Sequence, residues 1–410
     1  MALTDLQIQA MGRDAMQAAA GGDFATAERL LADIVEARPN GGQALALLGQ
    51  ARLKLGRFAD AREPLERGAR FLPRDPAAQV NAAGCLMMLG AHTDALFFLD
   101  RAVKLKPGDA AILYNRGRCL EALGQPDAAL AAYDEALSID HRLAPALSAR
   151  AMLAAARGDI MAALADLDMA LTSRPEDPVL RLRRAALLLG QDDWMRGLPD
   201  YEARLDSAAE RHAPALPRWQ GEPLAIGRLL VYPEQADIEA DAALRDTLML
   251  ARGLDGIDAA VQAGSRAAAW LAVPTVARDA ALDDFVAAVP LRSLPFLLGW
   301  SPMALPPPPA LAAPRDTAGD RIGWFSTVPA PEGLSVERDP ARVETCRAVV
   351  GDDVPATHRA AALGRPTLLL RSDPDNLLLG LRNGPSGWYA SFEVQDRDDA
   401  TALAGWLSRC

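Results

Sequence analysis

The feature that most constrains this chain is a frame of about 34 residues that recurs along its first half. Glycine recurs at this spacing at Gly22, Gly56, Gly90, Gly124 and Gly158. An alanine stands five residues after each of them, at Ala27, Ala61, Ala95, Ala129 and Ala163. Glycine permits a tight turn between two antiparallel helices, and a small residue beyond the turn lets the helices approach closely. The period therefore predicts a stack of helix pairs.

Prolines mark the end of most of these units. Pro39, Pro73, Pro107 and Pro175 share one register, and His141 stands at the remaining position. Proline lacks a backbone N–H and stops the second helix of a pair. With these features, residues 8 to about 205 resemble six tetratricopeptide repeats, the first of them a terminal cap. The resemblance implies an α superhelix whose first helices line a groove for an extended peptide or a partner helix.

Four residues are candidates for binding a peptide in that groove. Asn81 and Asn115 stand one period apart on the predicted inner face. Their amides can bond a peptide backbone without reading its side chains, and a similar asparagine ladder lines the groove of the nucleocytoplasmic protein O-GlcNAc transferases. Arg118 and Glu121 are predicted to project nearby. The alternative for each of them is an ordinary solvated position on a helix.

Composition argues against several classes of partner. A net charge of -11 gives no basic stripe, so neither nucleic acid nor an anionic membrane is an expected partner. The four cysteines are far apart and form no CxxC motif, which argues against zinc and against a disulfide framework: Cys85, Cys119, Cys346 and Cys410. We find neither a signal-like start nor a continuous apolar stretch long enough to span a membrane, and we expect a cytoplasmic protein.

The second half carries a further resemblance. Trp194 and Gly197 precede the run Tyr201-Glu202-Ala203-Arg204, which resembles the last repeat of bacterial proteins that join such an array to a glycosyltransferase domain of the GT-B fold. Residues 229–232 then read as a first buried strand. Glu234 and Gln235 match the start of that family's E-Q-G-x-G-D loop beside the substrates. Both loop glycines are replaced here, so this part of the site is expected to be dismantled.

A second segment resembles the family's diphosphate-binding motif. Residues 353–366 resemble D-[ST]-x-x-x-H-L-A-[GA]-A-L-G-x-P, with Asp353, His358 and Gly364 in register. The resemblance implies that this helix start faces a nucleotide-sugar diphosphate, that Asp353 braces the loop and that His358 donates a hydrogen bond. Arg359 is a further candidate for meeting the charge. The alternative is that Asp353 only caps the helix and that His358 is a buried structural side chain.

The organisation predicted from these features has four parts. A repeat array at 1–205 precedes a first Rossmann-like half at 206–300, a proline-rich linker at 301–320 and a second half at 321–410. The short interval between Trp324 and Asp353 leaves little room for further strand-helix units, so the second half is expected to be truncated. The predicted fold is therefore an α superhelix followed by a shortened α/β domain that resembles GT-B glycosyltransferases.

Two functions follow as expectations. The first is a scaffold that binds a protein or peptide in the repeat groove, with a transferase-like domain that is inactive or weakly active. The alternative is a metal-independent protein O-glycosyltransferase that uses a nucleotide-sugar donor. Neither a metal nor a cofactor is predicted, because the nucleotide sugar would be a substrate. The sequence identifies no general base, and it does not indicate an oligomeric state.

Overall fold

The structure of the protein is a computed structural model. It describes residues 4–206, 214–224, 227–232, 250, 254, 257–263, 274–277 and 279–300, and then the short pieces 322–325, 336–338, 346, 348–351, 357–358, 360, 367–371, 384–385 and 392–396. Contacts divide the chain into two units, Met1–Pro175 and Glu176–Cys410.

The described part of the first unit consists of helices joined in antiparallel pairs. The pairs are α1 Asp5–Ala20 with α2 Phe24–Ala37, α3 Gly42–Lys54 with α4 Phe58–Phe71, α5 Pro76–Met88 with α6 His92–Leu105, α7 Ala110–Ala122 with α8 Pro126–Ile139, and α9 Ala144–Ala156 with α10 Ile160–Ser173. Aspartates cap several first helices. The Asp75 and Asp109 carboxylates, for example, each accept from two backbone N–H groups of the helix that follows.

The turn glycines have the conformation that the repeat predicts. Gly22, Gly56, Gly90, Gly124 and Gly158 all have φ between 70° and 82°. This left-handed region is strained for residues with a Cβ, and it lets each pair reverse direction in a short turn. One period after Gly158 the position holds Asp192, whose φ is 60°. Aspartate tolerates this conformation better than most residues do, so the sixth pair keeps the same turn.

The second helices end where the prolines predict. Helices α2, α4, α6 and α10 each end two residues before a proline. The residue before each proline leaves the helical conformation, as at Leu72 with φ -115° and ψ 61°. Helix α8 also ends two residues before the shared position, although that position holds His141. Proline is therefore not required to end the second helix of a pair.

Small residues bring the two helices of a pair into contact. The five periodic alanines are all completely buried: Ala27, Ala61, Ala95, Ala129 and Ala163. Gly117 of α7 leaves room for Tyr133 of α8, because a Cβ on this glycine would lie 2.4 Å from the tyrosine Cε1. Gly49 leaves room for Leu65 in the same way. Each large side chain on a second helix thus occupies space that a small residue on the first helix leaves open.

Arginines at one position of the repeating frame form ion pairs, two of which join neighbouring helix pairs. We define the arginine ladder as the four arginines one period apart: Arg116, Arg150, Arg184 and Arg218. Arg116 Nε donates to Asp100 Oδ1 at 2.8 Å. Arg150 Nη1 donates to Asp134 Oδ1 at 2.7 Å, and its Nε and Nη2 bond both oxygens of Asp166. The bond to Asp166 is the largest cause that raises the pKa of Arg150.

The second unit begins with a sixth helix pair that packs on a parallel sheet. Helix α11 Pro178–Gly190 and helix α12 Trp194–Tyr201 precede a 3-10 helix, Glu202–Asp206. The strands are β1 Arg228–Tyr232, β2 Ala259–Gln262, β3 Thr275–Val276 and β4 Phe285–Pro290. They are all parallel, in the order β3-β2-β1-β4. Trp194, Tyr201, Trp219, Leu229 and Val289 share one buried core. The predicted first strand is therefore confirmed.

A six-stranded sheet follows in the described residues. Its strands are β5 Ile322–Phe325, β6 Val336–Glu337, β7 Ala348–Gly351, β8 Thr367–Arg371, β9 Gly384–Pro385 and β10 Phe392–Asp396. The order is β6-β5-β7-β8-β10-β9, and β9 alone among these strands is antiparallel to its neighbour. The predicted linker at 301–320 lies outside the described residues.

Substitution of two helical glycines tests the packing of the first unit, because the two changes should shift the free energy of unfolding in opposite directions. We expect Gly117→Ala to lower the free energy of unfolding by about 1–3 kcal/mol, because the new Cβ overlaps Tyr133. We expect Gly84→Ala to raise it by about 0.5–1 kcal/mol, because Gly84 is exposed in a helix and nothing lies within 4 Å of the new Cβ. Urea unfolding followed by far-ultraviolet circular dichroism measures both. Shifts in the same direction would contradict the packing described above.

Candidate functional site

Residues of the first three pairs line a cavity of about 420 Å³ that is partly open to solvent. We define the groove cavity by its lining residues: Ala15, Met16, Ala19, Phe24, Leu31, Leu47, Gln50, Ala51, Leu53, Lys54 and Asn81. Most of them belong to the first helices α1, α3 and α5. Ala19 of α1 occupies the position that Leu53 occupies in α3 and Met87 in α5. The shorter side chain leaves space beside the terminal helix.

The lining is apolar except for three side chains. Gln50 and Asn81 contribute amides, and Lys54 contributes an ammonium group. Lys54 is exposed in the last turn of α3. A cation at this place interacts favourably with the unpaired carbonyl groups at the end of the helix. In the part of the chain that the structure describes, Lys54 pairs with no carboxylate. The cavity therefore combines an apolar wall, two amides and one cation.

The predicted asparagines lie on neighbouring first helices. Asn81 is half-buried on α5 and lines the groove cavity. Asn115 is half-buried at the equivalent position of α7 and is not among the residues that line the cavity. The structure thus brings Asn81 together with Gln50 and Lys54. Peptide binding by Asn81 and Asn115 remains a prediction.

Arg118 and Glu121 are exposed on α7 and make contacts within the array. The guanidinium carbon of Arg118 lies 5.9 Å from the centre of the Tyr114 ring. Glu121 Oε2 accepts a hydrogen bond of 2.7 Å from the Tyr133 hydroxyl. Burial raises the pKa of Tyr133, so the hydroxyl keeps its proton and remains the donor. Glu121 therefore has a structural partner, and its predicted role in binding is untested.

Gln50, Lys54 and Met16 were not predicted from the sequence. The repeat register contains a signal for Met16 and Gln50, because they share one position in the repeating frame with Arg118, whereas Lys54 stands at a different position. Leu47, Asn81 and Asn115 share another. Comparing every residue at these two positions would have indicated the lining of the groove. The cavity itself depends on how α1 packs, which the register does not contain.

Most candidate nucleotide-sugar residues lie outside the described residues: Glu234, Gln235, Asp353, Arg359 and Gly364. His358 is described, lies in a helical segment beside Thr357, and is completely buried. Glu234 follows the carboxyl end of β1 by two residues, and Asp353 follows that of β7 by two. Each of these ends lies where the strand order of a parallel sheet reverses, the position at which such sheets commonly bind ligands. The roles proposed for these residues remain predictions.

A buried polar network joins two segments that lie far apart in the sequence. Arg204 Nη1 donates to Glu202 Oε1 at 2.6 Å, and its Nη2 donates to Ser293 Oγ at 2.9 Å. Ser293 Oγ donates to Glu202 Oε2 at 2.7 Å, and Arg218 Nη2 donates to the same oxygen at 2.8 Å. The Arg204 guanidinium also lies over the Tyr201 ring at 4.4 Å. We call this the Glu202–Arg204–Ser293 network, and it fixes the chain after α12 to the loop after β4.

The described residues contain neither a metal cluster nor a membrane span. No group of three or more His, Cys, Asp or Glu side chains in these parts of the chain could hold a metal ion. Among the helices that the structure describes, none is long and apolar enough to cross a membrane.

Comparisons with known proteins agree with the helix pairs. Three family models described as tetratricopeptide repeat match residues 18–84, 65–110 and 110–143. Residues 18–143 are tetratricopeptide repeats. The described chain contains about twelve helices arranged as tetratricopeptide pairs, followed by a parallel sheet and a second sheet in which one strand is antiparallel. No curated protein matches the chain.

Solved structures of tetratricopeptide proteins resemble part of the chain. TTC0263 of Thermus thermophilus is 27% identical, with 44% of this chain and 99% of that chain covered and a TM-score of 0.36. MamA of Desulfovibrio magneticus RS-1 is 18% identical, with 42% and 97% covered and a TM-score of 0.39. YrrB, described as having an unusual peptide-binding site, is 22% identical, with 42% and 87% covered and a TM-score of 0.38.

The Glu202–Arg204–Ser293 network can be tested by removing one hydroxyl. We expect Ser293→Ala to lower the free energy of unfolding of the second unit by about 1–3 kcal/mol, because Arg204 and Glu202 each lose a buried partner. All seven tryptophans lie after residue 193, so tryptophan emission during urea unfolding reports on this unit.

The matched control is Ser138→Ala, since that exposed hydroxyl donates only to the nearby Glu135 carbonyl. We expect its urea midpoint, followed by circular dichroism, to stay unchanged. An unchanged tryptophan transition in Ser293→Ala would contradict a stabilising role for the network.

Proposed function

We propose that the protein is an interaction scaffold that holds an extended peptide segment of a partner protein along the first helices of its repeats. The observation that carries this proposal is the groove cavity, in which apolar side chains stand beside the amides of Gln50 and Asn81. Apolar walls accept side chains of a bound peptide, and amides can both donate to and accept from its backbone. A segment of protein chain presents these two kinds of group together.

The spacing of the two asparagines supports an extended segment. Asn81 and Asn115 occupy equivalent positions on α5 and α7, which are the first helices of successive pairs. Equivalent positions on stacked pairs form a row along the array. A peptide that lies along this row meets one amide for each pair, while one of its side chains enters the cavity. We also propose that the partner is a protein and that neither nucleic acid nor a membrane is involved.

We propose that the protein is cytoplasmic. Cys85, Cys119 and Cys346 are buried and form no disulfide in the described part of the structure. Burial raises the pKa of the Cys119 thiol to about 11, which keeps it protonated at neutral pH. Buried thiols that form no disulfide suit a reducing compartment.

We further propose that the part of the chain after the repeats derives from a GT-B glycosyltransferase domain and has lost donor binding. The order β3-β2-β1-β4 supports a Rossmann-like first half, because doubly wound sheets begin with this order. Against activity stand the replaced loop glycines, at Ala236 and Ile238, and the burial of His358. The alternative is a metal-independent protein O-glycosyltransferase, in which the scaffold would present its bound peptide as acceptor.

The scaffold proposal predicts a loss of binding without a loss of stability. Binding peptides are selected by screening a displayed peptide library against the full chain. We expect Asn81→Ala with Asn115→Ala to weaken the selected peptides roughly tenfold, because two amide contacts of about 0.5–1.5 kcal/mol each are removed. Fluorescence anisotropy measures the affinity, and a melting curve verifies the fold.

Asn40→Ala is the matched control, because Asn40 is an exposed amide in the turn before α3. We expect it to leave the affinity unchanged. Selected peptides that bind the double variant as tightly as the parent would show that the groove is not the binding surface.

The donor-site proposal predicts that calorimetric titration with UDP, GDP and ADP sugars gives millimolar binding or none. Loss of two or three charge-assisted hydrogen bonds of about 1.5–3 kcal/mol each would weaken a micromolar site by a factor of about 100 or more, toward millimolar affinity. His358→Ala is the control, in a preparation whose tryptophan emission is unchanged. Micromolar binding that this substitution removes would favour the transferase instead.

A further inference from the structure

The groove cavity contains one charged side chain. Lys54 is one of only three lysines in a chain whose net charge is -11, and it is the single ionisable residue among those that line the cavity. The acidic side chains of the array are largely paired elsewhere. Asp100, Asp134 and Asp166 bond the arginine ladder, for example. The cavity is therefore a cationic apolar site on an acidic protein.

The cation and the apolar wall belong to the same helical turn. Gln50, Ala51, Leu53 and Lys54 are neighbouring lining residues of α3. An occupant must therefore present an apolar group and an anion on one side. In an extended peptide the side chains of residues i and i+2 point to the same side, about 7 Å apart. Adjacent residues point to opposite sides, so they cannot supply both groups to one wall.

We propose that the groove cavity recognises an internal acidic–apolar motif of a partner protein, in which Asp or Glu stands two residues from Leu, Met or Phe in an extended segment. The apolar side chain fills the cavity between α1 and α3, and the carboxylate pairs with Lys54. Asn81 bonds the backbone between them. This inference rests on the proposed scaffold function and adds the chemistry of the partner.

An internal motif fits the groove better than a chain end does. Asn115 lies on the first helix beyond Asn81, at the equivalent position. A segment that meets both asparagines continues past the cavity along the array, and its backbone carries no charge there. The negative charge that complements Lys54 then comes from a side chain of the segment.

The test uses short peptides blocked at both ends, so that neither terminus carries a charge. One peptide contains Glu-Ser-Leu in an alanine and serine background, and the others replace this motif with Gln-Ser-Leu, Glu-Ser-Ala, Glu-Leu-Ser or Lys-Ser-Leu. Each carries a fluorescent label, and anisotropy with the full chain gives its affinity.

We expect Glu-Ser-Leu to bind most tightly. Loss of the carboxylate in Gln-Ser-Leu should weaken binding roughly threefold to fivefold, as for one exposed ion pair, and the difference should shrink at high salt. Loss of the leucine in Glu-Ser-Ala should weaken it roughly tenfold or more, because the apolar anchor is removed. Glu-Leu-Ser should bind as weakly as one of these two.

Variants of the protein decide whether Lys54 is the partner. We expect Lys54→Met to bind Glu-Ser-Leu and Gln-Ser-Leu equally, and Lys54→Glu to prefer Lys-Ser-Leu. Lys104→Met is the matched control, because Lys104 is likewise an exposed lysine in the last turn of its helix, α6, and does not line the cavity. It should retain the preference of the parent for Glu-Ser-Leu.

Two results would overturn the inference. Equal binding of the five peptides, or the absence of binding by all of them, would exclude the acidic–apolar motif. Library-selected peptides that require Asn81 and Asn115 but are indifferent to Lys54→Met would also exclude it, while leaving the scaffold function intact. Failure of the scaffold function is recognised separately, by selected peptides that bind without the two asparagines.

Discussion

Every helix pair of the array depends on how closely its two helices approach. Ala27, Ala61 and the equivalent alanines are completely buried. The Tyr133 ring packs against Gly117, and a side chain on this glycine would collide with the ring. Protein interiors are packed to the density of organic crystals, so a small residue on one helix is matched by a large residue at the facing position of the other helix. This combination recurs from pair to pair and appears in the sequence as the repeat period.

Charge pairing has a separate place in the array. The arginine ladder links pair to pair, because Arg150 bonds Asp134 of the preceding pair and Asp166 of its own. Arginine can do this since its planar guanidinium presents several donors at once. The acidic partners Asp100, Asp134 and Asp166 lie on second helices, whereas most residues that line the groove cavity lie on first helices. The lining consists of apolar side chains, two amides and Lys54, and these groups give the groove cavity its chemistry.

The features that could be predicted from sequence are those fixed by local conformation. The left-handed turn at residue 90 favours glycine, and Pro73 ends a helix, and both effects are independent of the tertiary surroundings. Asn81 was placed on the correct face because its register follows from the same period. The groove cavity was not predicted, since it arises from how α1 packs at the end of the stack. The bond from Arg204 to Ser293 was not predicted either, because 89 residues separate them and no periodicity connects them.

The repeat register and the packing of the chain divide it at different places. The register runs to about residue 205, whereas contacts place the boundary after Pro175, one helix pair earlier. The reason lies in the sixth pair, whose Trp194 and Tyr201 join the core of the parallel sheet with Trp219 and Leu229. Arg218, the last member of the arginine ladder, bonds Glu202 as Arg116 bonds Asp100, sixteen residues earlier in both cases. Helix pairs with the same repeat geometry thus pack on one another in the first unit and on a sheet in the second. A shared period does not by itself define a shared folding unit.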